Sequence, residues 1–103
     1  MIDKRVKETV LKINTRKLKN NTQRALLALL RAEGNWVSRR SLRIPSVSAR
    51  LRDLRKEQYG EFEVVCNVTS KNNPFQNKKG TYYRINPRSV TLSRVLKVFE
   101  GVI

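Results

Sequence analysis

The sequence predicts an α+β fold, and three patterns along the chain predict it. Apolar residues first recur at helical spacing, then alternate as in strands, and return to helical spacing near the C-terminus. Glycine and proline fall between these stretches, where turns are expected. A chain of 103 residues can bury one modest core. We therefore expect a three-helix core, a two-stranded β-hairpin and an additional C-terminal helix.

Residues 1–20 do not predict a single structure. Val6, Val10 and Ile13 have helical spacing, but the β-branched run around them would also suit a strand. The segment is rich in lysine and arginine, which is typical of a basic arm. A basic N-terminal arm and an extra folded element both stay open for residues 1–20, which precede a central unit of residues 21–86.

The first helix of the central unit is predicted to begin after Asn21 or Thr22, either of which can cap it. Gly34 supplies a C-terminal stop, so the helix should run to about Glu33. Its inward face is formed by apolar residues at helical spacing: Ala25, Leu26, Leu29 and Leu30.

A short extended segment and a brief helix, residues 39–43, come next. Ser38 can cap the brief helix, and Pro45 ends it because the residue before a proline is disfavoured in the α region. Ser46 is expected to cap a third helix over residues 46–58, which we call the reader helix. Its apolar stripe is narrow and consists of Val47, Leu51 and Leu54.

A β-hairpin is predicted after the reader helix. Apolar residues occupy every second position of residues 61–68, which predicts the first strand, and residues 81–85 form the returning strand. Residues 69–80 between them are turn-formers and cations, apart from one phenylalanine, and a loop of this length is usually functional. We call this loop the wing. The inward face of the first strand should comprise Phe62, Val64, Cys66 and Val68.

The C-terminal segment, residues 87–103, predicts an amphipathic helix. Its apolar residues are spaced for one helix face: Leu92, Val95, Leu96 and Phe99. Such a face can pack on the chain's own core or form a homodimer through the C-terminal helix, and both interpretations stay open.

The charge of the chain indicates a polyanionic partner. Lysine and arginine number 23 against 8 acids, giving a net charge of +15. The cations concentrate in residues 1–24, 35–58 and 69–84, whereas Glu61 and Glu63 lie on the first predicted strand. No apolar run is long enough for a membrane span and no signal-peptide core is present, so we expect no membrane association and a cytoplasmic location.

Catalytic chemistry is not expected. The chain has no histidine and one cysteine, which excludes an imidazole base and a cysteine-cluster zinc site. It also lacks a glycine-rich phosphate loop. Glu61 and Glu63 have no third acid near them in sequence for a metal-dependent nuclease. We therefore predict a binding protein without a metal or other cofactor.

The elements and their order resemble the winged helix-turn-helix domain, especially its small phage, plasmid and mobile-element forms. The resemblance covers residues 22–85 and rests on the Ala-Arg-Leu-Arg-Asp-Leu-Arg-Lys run of the reader helix and the Gly-Thr-Tyr-Tyr-Arg-Ile end of the hairpin. In that family the reader helix enters the DNA major groove and the wing contacts phosphates or the minor groove. The brief helix before the reader helix departs from the family's pattern, because the corresponding helix of the family is often longer.

The resemblance implies a sequence-selective double-stranded DNA-binding protein, nucleoid-associated, acting in transcription regulation or as a recombination accessory factor. On the reader helix it places seven residues at DNA: Ser46, Ser48, Ala49, Arg50, Arg52, Arg55 and Lys56. Backbone and wing contacts would come from Arg39, Arg40, Lys71, Lys78 and Lys79. Arg52 is expected to read a guanine. Asp53 should pair with Arg50 or Lys56 within the helix.

Two other functions stay open. The same framework could serve as a basic RNA-binding or ribosome-associated module, for which the narrow major groove of duplex RNA would exclude the reader helix. It could also act by protein interaction, as an inhibitor that binds an acidic surface through charges that salt screens.

Overall fold

The computed structural model describes residues 2–67 and 80–102. Within those ranges the chain has five α-helices and one three-stranded antiparallel sheet, which confirms the predicted α+β class. The helices are α1 (Lys4–Lys12), α2 (Asn21–Arg31), α3 (Arg39–Leu42), α4 (Val47–Asp53) and α5 (Leu92–Val98). The strands are β1 (Val37–Ser38), β2 (Val64–Cys66) and β3 (Tyr82–Ile85).

The N-terminal residues contain a packed helix, α1, which contacts α2 and α5. Asp3 caps the helix, since its Oδ1 accepts the Arg5 N–H at 2.7 Å. Val6 and Val10 are buried on one face. Ile13 and Leu18, beyond the end of the helix, are also buried. The segment is therefore part of the hydrophobic core, and of the structures left open by its sequence the helix is the one observed.

Helix α2 lies at the centre of the fold and contacts α1, α4 and β3. The cap is Asn20, whose Oδ1 accepts the Gln23 N–H at 2.9 Å, and not Asn21 or Thr22 as predicted. The helix ends at Arg31, slightly before the predicted stop at Gly34. The four apolar residues predicted to face inward are all buried: Ala25, Leu26, Leu29 and Leu30.

Gln23 is a buried polar side chain on α2 that joins three parts of the chain. Its Oε1 accepts the Lys19 N–H at 2.7 Å, and its Nε2 donates to the Val98 carbonyl at 2.9 Å. Both ends of the amide are thus satisfied although the residue is only 4% exposed. This amide fixes the segment before α2 and the end of α5 against the central helix.

The sheet has the strand order β1-β3-β2. The predicted hairpin is present, with Val64 opposite Ile85 and Cys66 opposite Tyr83, and β1 adds a third strand through Val37 opposite Tyr83. The first hairpin strand is shorter than predicted, because it begins only at Val64.

The predicted inward face of this strand is observed in part. Phe62, which precedes β2, and Val64 are buried. Cys66 was expected to be buried and is only half-buried. Val68 lies outside the described residues.

Helix α5 begins at the cap Thr91, whose Oγ1 accepts the Arg94 N–H at 3.3 Å. Val95 and Phe99 are fully buried in the chain's own core, whereas Leu96 remains 43% exposed. Most of the apolar face that raised the possibility of a homodimer is therefore used within the chain. Over the described ranges, no helix is both long and apolar enough to cross a membrane.

Candidate nucleic-acid interface

The predicted reader helix, residues 46–58, is about half as long in the structure. Helix α4 ends at Asp53, and a 3-10 turn, Glu57–Tyr59, follows it. Seven residues span about 10 Å, against about 20 Å for the predicted length. The apolar stripe stops at Leu54, and the Leu54 carbonyl accepts the Phe62 N–H at 2.8 Å from the returning chain. Arg55 and Lys56 therefore lie beyond the helix.

Ser46 occupies the N-cap position of α4 but does not cap it. Its backbone is left-handed, with φ of 54°, and its side chain makes no capping hydrogen bond, so the predicted cap is wrong. Its carbonyl still accepts the Arg50 N–H at 3.1 Å. Arg43 also has a left-handed backbone, with φ of 49°. These two residues bound the four-residue turn that joins α3 to α4.

The outward side of α4 presents Ser48 and Arg52, both exposed, while Ala49 is half-buried. The Ser48 hydroxyl lies 3.3 Å from the hydroxyl of the buried Tyr83 on β3, so part of its hydrogen-bonding capacity joins the helix to the sheet. Within residues 2–67 and 80–102, the Arg52 side chain has no hydrogen bond or ion pair. Arg52 is accordingly the cation of α4 that is most available to a ligand.

The other predicted cations around α4 are engaged within the fold. Asp53 Oδ2 lies 3.5 Å from Arg50 Nε, and Asp53 Oδ1 lies 3.2 Å from Lys56 Nζ. The predicted local pairing of Asp53 is confirmed, and it involves both partners at once. Arg55 Nη2 donates to the Val64 carbonyl at 2.7 Å and ties the end of α4 to β2. These three cations stabilise the arrangement that presents Arg52.

An open cleft of about 880 Å³ lies beside the start of α4. Helix α3, the turn of residues 43–46 and the start of β3 line it, and the Arg39 N–H donates to the Thr81 carbonyl at 2.8 Å to hold α3 against the strand. Three exposed arginines lie along the cleft: Arg39, Arg40 and Arg43. Elsewhere in the described part of the chain no acceptor pairs with their guanidinium groups, and no acid is among the described residues that line the cleft.

Sequence reasoning placed Arg39 and Arg40 at the interface but left out Arg43. The available signal was its place in one basic run with the other two arginines, just before Pro45. The cleft itself could not be inferred from that run, because its other wall comes from residues 80–82, about forty positions later.

The wing cations Lys71, Lys78 and Lys79 lie outside the described residues. The structure describes the two residues that flank this segment, Asn67 and Gly80, and Asn67 joins them. Asn67 is 2% exposed, and its Nδ2 donates to the Gly80 carbonyl at 3.2 Å. The two positions from which the wing leaves the sheet are therefore held together.

Comparisons with known proteins give no match to a protein-family model, to a characterised protein or to a solved structure. In the portion of the chain that the structure describes, no three histidine, cysteine, aspartate or glutamate residues are grouped so that they could hold a metal ion.

Proposed function

We propose that this chain is a sequence-selective double-stranded DNA-binding protein with a winged helix-turn-helix fold. The observation that carries the proposal is a series of exposed arginines on α3, the following turn and α4, with no internal partner among the described residues: Arg39, Arg40, Arg43 and Arg52. Guanidinium groups form their strongest contacts with phosphates and with the acceptor pair of guanine. A net charge of +15 favours such a polyanionic partner over an uncharged one.

The arrangement of the helices supports entry of α4 into the major groove. Helices α3 and α4 are joined by four residues, and an antiparallel hairpin follows them. The major groove, about 12 Å wide, admits an α-helix, whose diameter with side chains is about 10–12 Å, and α4 is about 10 Å long. A helix this short contacts few bases, so Arg52 carries most of the sequence reading, with Ser48 and Ala49 beside it.

The remaining affinity is assigned to the DNA backbone. Arg39 and Arg40 lie on α3 and face solvent, where they can neutralise phosphates flanking the groove. The wing lysines Lys71, Lys78 and Lys79 are proposed to do the same. Contacts of this kind increase affinity for all sequences alike. They fit a small transcriptional regulator or a recombination accessory factor, which must find its site among excess DNA.

The decisive experiment is selection from a random duplex DNA pool at near-physiological salt, with structured RNA as competitor. The wild-type chain is compared with Arg52→Ala and with Arg88→Ala, a matched control that removes one exposed arginine beyond the far end of β3. We expect the wild type and the control to enrich the same motif, and Arg52→Ala to lose one position of it. An inverted repeat in the motif would add a homodimer to the proposal.

Other outcomes of the selection contradict the proposal. Retention of DNA without any enriched motif would remove sequence selectivity. Binding of the RNA competitor in place of DNA would favour the RNA-binding function, and loss of all nucleic-acid binding would favour a protein partner.

A further inference from the structure

The cleft beside α4 combines two kinds of chemistry. Three of its lining residues are the exposed arginines Arg39, Arg40 and Arg43, whereas others are apolar or aromatic and less exposed. Val47 is buried, and Ile44 and Tyr82 are half-buried. Among the described residues, the cleft therefore combines cationic side chains with apolar side chains and the aromatic ring of Tyr82.

A duplex backbone would use only the arginines of the cleft. Double-stranded DNA presents phosphates and sugars to a protein surface, while the faces of its bases remain stacked inside. An unpaired nucleotide exposes a phosphate and a flat base face together, and proteins bind such nucleotides with cationic grooves that contain aromatic side chains. The cleft volume of about 880 Å³ lies within the range of about 300–1,000 Å³ that is usual for small-ligand sites.

The backbone that carries Tyr82 is held by hydrogen bonds. The Tyr82 N–H donates to Asn67 Oδ1 at 2.8 Å, and the Tyr82 carbonyl accepts the Asn67 N–H at 3.0 Å. The Arg39 N–H bonds to the Thr81 carbonyl and joins this wall of the cleft to α3. A site whose two walls are held by hydrogen bonds loses little conformational freedom when it binds a ligand.

We infer that this cleft binds an unpaired nucleotide of a DNA strand that leaves the duplex beside α4. The inference rests on the proposed DNA-binding function and specifies its substrate class, a duplex with a single-stranded end or gap. Arg43 contacts a phosphate of the unpaired strand, and the Tyr82 ring stacks on a base. The duplex part remains bound through Arg52 on α4.

The test measures binding of the full chain by fluorescence anisotropy to a blunt duplex and to the same duplex with a short single-stranded tail at either end. We expect the wild type to bind a tailed duplex about tenfold more tightly than the blunt one. Tyr82→Leu should reduce this ratio to about twofold or less while the blunt duplex is bound as before. Tyr59→Leu is the matched control, because Tyr59 is a half-buried tyrosine on a turn that does not line the cleft.

Arg43→Gln provides a second variant at an exposed position, where folding is not at risk, and it should weaken binding of the tailed duplex more than of the blunt duplex. Equal wild-type affinity for the two duplexes, or equal losses on both in the variants, would overturn the inference and leave the proposed function intact. Absence of binding to either duplex would overturn the proposed function itself.

Discussion

Asn67 and Tyr82 hydrogen-bond to each other twice across the base of the hairpin. The Tyr82 N–H donates to the side-chain Oδ1 of Asn67, and the Asn67 N–H donates to the Tyr82 carbonyl, at 2.8 Å and 3.0 Å. The Asn67 amide also donates to the Gly80 carbonyl. One buried side chain thus holds Asn67 against the segment from Gly80 to Tyr82 on the other side of the hairpin base.

The first prediction concerns the stability contributed by this pair. Asn67→Ala removes the partner of the Tyr82 N–H and of the Gly80 carbonyl, and leaving such groups unpaired costs about 1–3 kcal/mol. Urea denaturation should show that loss. Asn35→Ala, at an exposed asparagine, is the control and should change stability by less than about 0.5 kcal/mol. Equal effects of the two substitutions would mean that Asn67 does not fix the hairpin base.

The second prediction concerns Gln23. Gln23→Leu keeps the side-chain volume but leaves the Lys19 N–H and the Val98 carbonyl without their partner, so stability should fall by about 1–3 kcal/mol. Hydrogen exchange of the Lys19 amide should accelerate in the same variant. Gln58→Leu, at an exposed glutamine, serves as the control. Unchanged protection of Lys19 would show that the observed hydrogen bond does not hold the segment.

The third prediction concerns base recognition by Arg52. On the selected site, Arg52→Ala should cost about 1–3 kcal/mol of binding free energy and relax the preference at one base pair. Titrations of the selected site and of single-base variants measure both effects. The Arg88→Ala control should keep the preference at every position. If Arg52→Ala loses as much affinity on random DNA as on the selected site, Arg52 contacts phosphate and not a base.

The fourth prediction concerns the arginines of α3. The double variant Arg39→Ala, Arg40→Ala should weaken binding to all duplex sequences by similar factors, because phosphate contacts carry no sequence information. The slope of log affinity against log salt should become shallower by about 2, one unit for each lost phosphate contact. A change in the preferred motif without a change in the slope would contradict this assignment.

The sequence was most informative where a residue's environment follows from its near neighbours. The spacing of the α2 leucines predicted a buried face, and Leu26 and Leu29 are buried. Asp53 was expected to pair with a cation three residues away, and it pairs with Arg50 and Lys56. These outcomes depend on neighbours within four positions along the chain, which a local pattern encodes.

The remaining features depend on residues that are distant in sequence. Helix α4 stops early because the polar run after Leu54 offers no further apolar face and the Phe62 N–H takes the Leu54 carbonyl. Ser46 adopts a left-handed conformation that its residue type does not favour. The third strand required Val37 to meet Tyr83, more than forty residues later. The cleft has the same origin, since Gly80 and Tyr82 close it against α3.

The nine residues of helix α1 place core packing and surface charge on different faces. Val6 and Val10 face the core, and at these positions a charged side chain would have to be buried without compensation. Lys4, Arg5 and Lys12 are exposed, so their replacement would change the electrostatic field and leave the packing untouched. Substitutions of the exposed cations can therefore raise or lower the attraction to a polyanion without disturbing the core. The requirement to fold constrains the buried valines instead.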